Sequence, residues 1–236
     1  MKIAIYGQYY QNSTEPIIKD IFKFFNANHV DLCIEASFMK ILYEKELLAK
    51  EYKTFSSHEE LDSSYDMLLS IGGDGTILRA TTLVRDSGIP ILGINAGRLG
   101  FLASVQKDNI EEFLQLVIEK KYTISERILL TLSGNTDVSE IPDLNFAMNE
   151  ISVSRKDTTS MITIETSLNG EYLTSYWADG LIISTPTGST GYSLSCGGPI
   201  LTPDVKSFVI TPIAAHNLNG RPLDIADNTE IRLRVT

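Results

Sequence analysis

The stretch Met67-Leu68-Leu69-Ser70-Ile71-Gly72-Gly73-Asp74-Gly75-Thr76 decides how the N-terminal half of the chain folds. Residues 67–71 form a short apolar run, which predicts a buried strand that ends at Gly72. The next segment, Thr76–Ser87, has helical periodicity and is followed by Gly88, which favours a helix that stops there. A strand that passes through a glycine-rich turn into a helix is typical of an α/β domain with a largely parallel sheet.

Short apolar runs alternate with helical patterns on both sides of this stretch. Further strands are predicted at Ile3–Gly7, Val30–Ala36 and Ile91–Ile94. Further helices are predicted from Thr14 onward, over Tyr43–Tyr52 and over Asn109–Lys121. After about Tyr122 the helical periodicity disappears and β-rich stretches replace it. We therefore expect an α/β N-terminal domain with a mostly parallel sheet over residues 1–122 and a β-rich C-terminal domain over residues 123–236.

The C-terminal half contains only short strand patterns. They lie at Ile128–Leu132, Ala147–Ser154, Met161–Leu168, Glu171–Trp177 and Leu181–Ser184. Asn169-Gly170 separates two of them and tolerates the positive φ angles that a type I′ hairpin needs. The chain ends at Thr236 inside another strand pattern, so we expect this domain to be truncated at its C-terminus.

Composition excludes several classes of protein. The 236 residues contain 20 Lys and Arg against 30 Asp and Glu, a formal net charge of −10, which argues against a nucleic-acid binder. The sequence has no apolar run of the length that a membrane span needs, and its N-terminus lacks the apolar core of a signal peptide. Its two cysteines, Cys33 and Cys196, cannot build a disulfide framework. We expect a reduced, cytoplasmic protein.

The first candidate site is the glycine-rich turn around Asp74. Glycines there let the backbone approach a ligand closely, and the start of a helix offers N–H groups to an anion. A bare carboxylate would repel phosphate, so Asp74 fits this turn if it faces a metal ion that bridges phosphates, or a hydroxyl that is losing its proton. Both interpretations indicate phosphoryl transfer. The alternative is that Asp74 is an ordinary helix cap.

The second candidate is the block Asp179–Ile200, which is dense in glycine and hydroxyl residues. Such a loop offers neutral donors and suits sugar hydroxyls, an adenine edge or a metal-shielded polyphosphate; the alternative is a Ser- and Thr-rich surface loop. Asn149-Glu150 could address sugar hydroxyls or a purine edge, although the dipeptide alone carries little information. Arg79 lies one helical turn beyond Gly75, where it could reach a phosphate or remain a solvated surface residue.

These motifs, in this order and at these distances, resemble the bacterial NAD kinases. Gly72–Thr76 alone is shared with 6-phosphofructokinases and with diacylglycerol or sphingoid lipid kinases, whereas the Asp179–Ile200 block is much more specific. The resemblance covers nearly the whole chain. It implies an α/β domain, a β-rich domain, a site in the cleft between them, and a homo-oligomer, commonly a tetramer but also a dimer.

The resemblance also implies roles for individual residues. Asp74 matches the catalytic aspartate, with Gly75 beside the bound NAD, and Arg79 is similar to a basic residue that some members use. Asn149 and Glu150 match the pair that holds the adenosine side of NAD. Further NAD contacts match Asp179, Thr190, Gly191, Tyr192, Ser193, Leu194 and Ser195. Trp177 departs from the pattern, because many members have a basic residue there.

The activity implied is ATP-dependent phosphorylation of the 2′-hydroxyl of the adenosine ribose of NAD, with Mg²⁺ or a similar divalent cation and no dedicated set of metal-binding side chains. The residues do not distinguish ATP from inorganic polyphosphate, or NAD from NADH. Two alternatives stay open: a lipid kinase that shares the first motif, and a non-catalytic dinucleotide sensor. No nucleic-acid or membrane partner is expected.

Overall fold

The computed structural model describes residues 1–9, 14–48, 50–96, 100–102, 105, 110–134, 144–156, 160–216 and 220–236. The chain forms two compact units, Met1–Ile124 and Ser125–Thr236. Within the described ranges, no helix has both the length and the apolar character needed to cross a membrane.

The first unit is built on a five-stranded parallel sheet. Its strands are β1 (Lys2–Gly7), β2 (Asp31–Glu35), β3 (Lys53–Phe55), β4 (Met67–Gly72) and β5 (Ile91–Asn95). Its helices are α1 (Thr14–Ala27), α2 (Ala36–Glu44), α3 (Asp74–Val84) and α4 (Ile110–Ile118). The strand order is β3-β2-β1-β4-β5, and every pair is parallel. The predicted α/β architecture is confirmed.

Alternation along β1 explains why helices cover both faces of this sheet. Ile3 and Ile5 belong to a large buried cluster with residues of α1, α2 and α4, whereas Ala4 and Tyr6 belong to a second cluster with residues of α3. Successive side chains of a strand point to opposite faces, so β1 contributes to both apolar layers. With both faces covered, the loops at the carboxyl edge of the sheet are left to carry ligands.

The helix predicted over Tyr43–Tyr52 is wrong. The structure forms α2 earlier in the chain, because the Glu35 carboxylate caps it by accepting the N–H groups of Ser37 and Phe38 at 3.1 and 2.8 Å. Burial of Phe38 and Leu42, one helical turn apart, anchors α2 on the core. The helix ends after Glu44 because Glu46 has a left-handed φ of 53° and the N–H of Leu47 donates to the carbonyl of Leu42. The predicted start of the fourth helix at Asn109 lies outside the described residues.

The second unit is antiparallel and β-rich, as predicted. Its elements are β6 (Leu130–Thr131), β7 (Phe146–Ala147), β8 (Glu150–Ser154), β9 (Ile162–Leu168), β10 (Glu171–Ala178), β11 (Gly180–Ser184), α5 (Tyr192–Ser195), β12 (Ser207–Ile213), β13 (Leu223–Ala226) and β14 (Ile231–Val235). A four-stranded sheet has the order β13-β12-β11-β8, and a three-stranded sheet has the order β10-β9-β14. Apolar side chains of both sheets share one buried cluster.

Two local predictions in this unit have opposite outcomes. Asn169 and Gly170 have φ angles of 50° and 86°, and they join β9 to β10, which confirms the predicted hairpin. The single strand predicted over Ala147–Ser154 is wrong, because it is interrupted between β7 and β8. The backbone at Met148 and Asn149 instead bonds to the segment that follows β11.

Candidate functional site

Asp74 is the first residue of α3 and its carboxylate is held by a neighbouring loop. The N–H of Phe101 donates to Oδ2 at 2.8 Å, and the N–H of Leu102 donates to Oδ1 at 3.1 Å. Gly73, not Asp74, occupies the N-cap position of the helix. The carboxylate therefore does not cap α3; it is oriented by two donors that leave part of each oxygen available to a further partner.

Gly100 makes this arrangement possible. A Cβ added to Gly100 would lie only 2.2 Å from Oδ1 of Asp74, so only glycine lets the loop reach the carboxylate. Sequence patterns alone did not identify Gly100, Phe101 or Leu102 as site residues. A signal existed: they follow β5, the sheet neighbour of β4, and the loops after two adjacent parallel strands emerge at the same edge.

Gly75 and Arg79 lie on the exposed side of α3. Both residues are exposed, and a Cβ at Gly75 would meet no atom within 4 Å. Among the described residues, the Arg79 guanidinium has no ion pair or hydrogen bond. The start of α3 thus presents open backbone at Gly75 and an available cation one helical turn further on, a combination that suits an anionic group.

Asn149 lies where the chain just before β8 contacts the loop that follows β11. The N–H of Thr185 donates to the carbonyl oxygen of Asn149 at 2.9 Å, and the hydroxyl of Thr185 donates to the carbonyl of Met148. A Cβ added to Gly188 would lie 2.1 Å from the Asn149 carbonyl oxygen. Gly188 is therefore required for the loop after β11 to pack directly against Asn149.

Glu150 begins β8 and has an unusual carboxylate. Its Oε2 atom is buried and has no hydrogen-bond partner among the residues that the structure describes, and burial raises the pKa of Glu150. A Cβ at Gly191 would be 3.2 Å from this oxygen and 3.6 Å from Nδ2 of Asn149. The carboxylate, the amide and the glycine loop therefore converge within the second unit. A buried acceptor without a donor is costly, which makes a hydroxyl-bearing ligand its natural partner.

The segment Thr190–Ser195 has an exposed side and a buried side. Tyr192 and Leu194 are 44% and 40% exposed, whereas Ser193 is fully buried. The Ser193 hydroxyl lies 2.8 Å from the hydroxyl of Thr211 on β12. Ser193 therefore anchors the segment to the sheet from within, and the exposed residues and the backbone are what the segment presents to a ligand.

Asp179 and Trp177 have partners inside the second unit. Asp179 forms a half-buried ion pair with Arg155 at 3.1 Å. Trp177 contacts His216 edge to face, with ring centroids 4.7 Å apart. The structure therefore brings Asn149, Glu150 and Gly191 together and supplies Asp179 with a cation of its own.

Asp74 supplies one oriented carboxylate for a divalent cation. Among the described residues, no group of three or more His, Cys, Asp or Glu side chains could hold a metal ion. Mg²⁺ is commonly bound by one or two carboxylates while substrate phosphates and waters complete its coordination. One oriented carboxylate beside a glycine loop fits that type of site.

Comparison with known proteins identifies both halves of the chain. Residues 3–122 match the family model described as the ATP-NAD kinase N-terminal domain, and residues 148–236 match the ATP-NAD kinase C-terminal domain. The chain is 72% identical over 236 residues to an NAD kinase of Flavobacterium johnsoniae, covering all of this chain and 80% of the relative. It is 53% identical to an NAD kinase of Christiangramia forsetii with the same coverage.

Solved structures show the same fold. The chain superposes on yeast NADH kinase complexed with NADH with a TM-score of 0.82 and 26% identity, covering all of this chain and 72% of that one. An NAD kinase from Archaeoglobus fulgidus in complex with ATP gives a TM-score of 0.75 and 27% identity, covering all of this chain and 81% of that one.

Proposed function

Since the chain belongs to the NAD kinase family and is a phosphotransferase that converts NAD to NADP, we propose that Asp74 is its catalytic residue and that Asn149 and Glu150 hold the adenosine side of NAD. The observation that supports this proposal best is the buried Oε2 of Glu150, to which no group in the described part of the chain donates. Ribose hydroxyls are donors of the right size and chemistry. NAD binding would thus supply the hydrogen bond that the free protein lacks.

The proposed reaction starts at the adenosine ribose. Its 2′-hydroxyl oxygen forms a bond to the γ-phosphorus of ATP as the β–γ phosphoanhydride bond breaks, and ADP leaves. The hydroxyl proton passes to the Asp74 carboxylate, whose orientation by the Phe101 and Leu102 amides supports this role. Such catalysis depends on position, because the protein contributes alignment and charge rather than a covalent intermediate.

The phosphoryl donor is proposed to lie against Gly75 and Arg79. The available Arg79 guanidinium can bind phosphate oxygens, and the exposed Gly75 allows close approach of the backbone. The glycine-rich loop would hold the donor polyphosphate together with Mg²⁺, which would neutralise charge that develops on the transferred group. We propose ATP as the donor, because the similar Archaeoglobus fulgidus enzyme is in complex with ATP.

The other residues predicted to contact NAD have different proposed roles, according to whether their side chains are exposed or buried. Thr190, Gly191, Tyr192, Leu194 and Ser195 are proposed to touch NAD. Ser193 is proposed to act through the position of this segment, because it is fully buried. Asp179 is proposed to contact NAD while paired with Arg155, whose charge lets the aspartate approach a dinucleotide without added repulsion.

Domain roles and assembly are part of the proposal. Residues 1–122 form the domain that carries the Gly72–Thr76 loop, and residues 123–236 form the NAD-binding domain. We propose a homo-oligomer, supported by strand β10, an edge strand on which Tyr172 and Trp177 are 67% and 47% exposed. We also propose a cytoplasmic location, supported by two cysteines that are both free.

The test is formation of NADP by purified protein with Mg²⁺. NAD should be converted with ATP as the donor, and inorganic polyphosphate is assayed beside it. An NAD analogue that lacks the adenosine 2′-hydroxyl should bind but give no phosphorylated product. Turnover of that analogue would contradict the proposed acceptor, and an absence of product from NAD with either donor would contradict the proposal as a whole.

A further inference from the structure

An open cleft of about 690 Å³ lies in the first unit between α2 and α3, beyond the carboxyl ends of β1 and β2. We call it the α2–α3 cleft and define it by Gln8, Tyr9, Glu35, Ile41, Arg79 and Thr82. Small-molecule sites usually have volumes of about 300–1,000 Å³, and in open α/β sheets they lie outside the carboxyl ends of the strands. The cleft has the size and position of a ligand site.

The cleft is connected to the Gly72–Thr76 loop. The Thr76 hydroxyl donates to Oε1 of Gln8 at 3.3 Å, so the residue after β1 is tied to the start of α3. Arg79 is the one cation among the described lining residues, and it is one helical turn beyond Gly75. A ligand whose phosphates contact Gly75 and Arg79 would thus have the cleft open beside it.

The walls of the cleft suit a nucleoside. Tyr9 and Ile41 are partly exposed, and the Tyr9 ring is held by the hydrogen bond from its hydroxyl to the Glu15 carboxylate. Lys45 Nζ lies over the Tyr9 ring, 5.4 Å from its centroid, so a base would contact this ring from its other face or its edge, beside Ile41. Gln8 and Thr82 add polar groups at its margin.

Glu35 occupies the position where a ribose would be recognised. It ends β2, the strand next to β1, and in dinucleotide-binding α/β folds an acidic residue in this region accepts the hydroxyls of a ribose. Its two oxygens each accept one N–H from the start of α2, which fixes the carboxylate. A carboxylate has about four acceptor positions, so roughly two stay open to hydroxyl groups.

We propose that the α2–α3 cleft binds the nucleoside of the phosphoryl donor, with Glu35 accepting its ribose hydroxyls and Tyr9 and Ile41 contacting its base. This proposal rests on the proposed function, because that function places the donor phosphates on Gly75 and Arg79. The donor fits better than NAD, since the adenosine of NAD is assigned to Asn149 and Glu150. It follows that the enzyme distinguishes a nucleoside triphosphate from a bare polyphosphate through these cleft residues.

Two neighbouring threonines on α3 provide a matched pair of variants. Thr81 and Thr82 are both partly buried, and each donates its hydroxyl to the carbonyl three residues earlier, but only Thr82 lines the cleft. Calorimetric titration of Mg·ATP and of NAD into Thr82→Phe and Thr81→Phe compares them, with melting temperature as a check on folding. We expect Thr82→Phe to weaken ATP binding about tenfold or more. Thr81→Phe should bind ATP as the unmodified protein does, and neither change should alter NAD binding.

A second measurement tests Glu35 through the ligand. ATP and 2′,3′-dideoxy-ATP are titrated into the unmodified protein and into Glu35→Gln, which retains an acceptor for the start of α2. The unmodified protein should prefer ATP by about tenfold, the usual value of hydrogen bonds to a charged group. That preference should shrink several-fold in Glu35→Gln.

The proposal is overturned if Thr82→Phe and Thr81→Phe bind ATP equally well, or if Thr82→Phe weakens NAD as much as ATP. An unchanged preference for ATP in Glu35→Gln overturns the ribose assignment. These titrations do not depend on turnover, so they are separate from the test of the proposed function. Normal turnover in an Asp74 variant would refute the catalytic role of Asp74. It would not affect the cleft proposal, which depends only on the measured affinities for ATP and NAD.

Discussion

Asp74 and Glu150 are two carboxylates in opposite electrostatic situations. Asp74 receives a backbone N–H on each oxygen, whereas Glu150 has one buried oxygen that accepts no hydrogen bond from the described residues. The Asp74 carboxylate, which is proposed to react, thus has its position fixed by hydrogen bonds. The Glu150 carboxylate, which is proposed to bind NAD, keeps an acceptor available for the ligand. Fixed position serves catalysis, while a missing hydrogen bond favours the ligand that completes it.

Removing the charge of Asp74 should have the largest effect. In Asp74→Asn we expect kcat to fall by about 10² to 10⁴ with NAD affinity roughly retained, because a base is lost and the NAD contacts are not. Steady-state kinetics and NAD titration measure the two quantities. Asp86→Asn, an exposed change in the same unit, is the control and should behave as the unmodified protein.

A partial recovery of Asp74→Asn at high Mg²⁺ would instead indicate that Asp74 acts mainly as a metal ligand. Unchanged turnover at every Mg²⁺ concentration would refute both roles.

Gly100→Ala should have the next largest effect. Its Cβ would be placed 2.2 Å from Oδ1 of Asp74, so the loop or the carboxylate must move. A misplacement of a catalytic group by about 1 Å can reduce turnover by about 10²-fold, and we expect a loss of that order in kcat. NAD affinity is the internal control, since its proposed contacts lie in the second unit. A variant with normal kcat would show that the precise position of Asp74 is unimportant.

Glu150→Ala should affect binding rather than chemistry. Loss of hydrogen bonds from ribose hydroxyls to a charged acceptor should raise the Kd for NAD by about 10- to 100-fold. Isothermal titration gives the Kd, and Glu171→Ala, which removes an exposed glutamate of the same unit, is the control. If both variants bind NAD equally, Glu150 has no part in recognition.

Stability against pH gives the smallest expected effect. Burial raises the pKa of Glu150, so the neutral form is favoured in the folded protein and ionisation costs stability as pH rises through the raised value. Glu150→Gln resembles the neutral form and should have a slightly higher Tm than the unmodified protein at pH 7.

The advantage of Glu150→Gln should disappear as pH falls below the ordinary glutamate pKa of about 4.3, where both forms are neutral. Melting curves from pH 4 to 7 test this, and a gap that widens at low pH would contradict it.

The sequence predicted elements whose signal is local. The strand and turn at Met67–Thr76 combine an apolar run with glycines, and Asn169-Gly170 is a turn by its own conformational preference, so both could be identified without tertiary information. The start of α2 depends on Glu35 as a cap, a less common role for this residue, and was therefore misplaced. Strand β12 was missed although it is central and mostly buried, because Ser207, Thr211 and Pro212 interrupt its apolar pattern.

The residues of the proposed site likewise separate into those with a signal in the sequence and those whose role depends on the folded structure. Asp74 is predicted from its glycine-rich motif and Glu150 from the family resemblance, but the amides of Phe101 and Leu102 and the partner of Asp179 are set by the folded backbone. No composition or spacing rule reveals that the two oxygens of Asp74 each receive a backbone N–H, or that Oε2 of Glu150 has no donor among the described residues. The exposed and buried sides of Thr190–Ser195 likewise depend on how this segment contacts β12.

The contact of Gly188 with the Asn149 carbonyl has a consequence for how the second unit opens. The amide of Thr185 is bonded to Asn149, and the amide of Gly188 is bonded to the Thr185 hydroxyl at 3.0 Å, so the two segments share their hydrogen bonds. The Thr185 hydroxyl that accepts the Gly188 amide also donates to the Met148 carbonyl across the contact, so we expect separation of the two segments to expose both amides to heavy water. In a hydrogen-exchange experiment these two amides should therefore be protected together and released together, as one cooperative block that is already assembled before any ligand arrives.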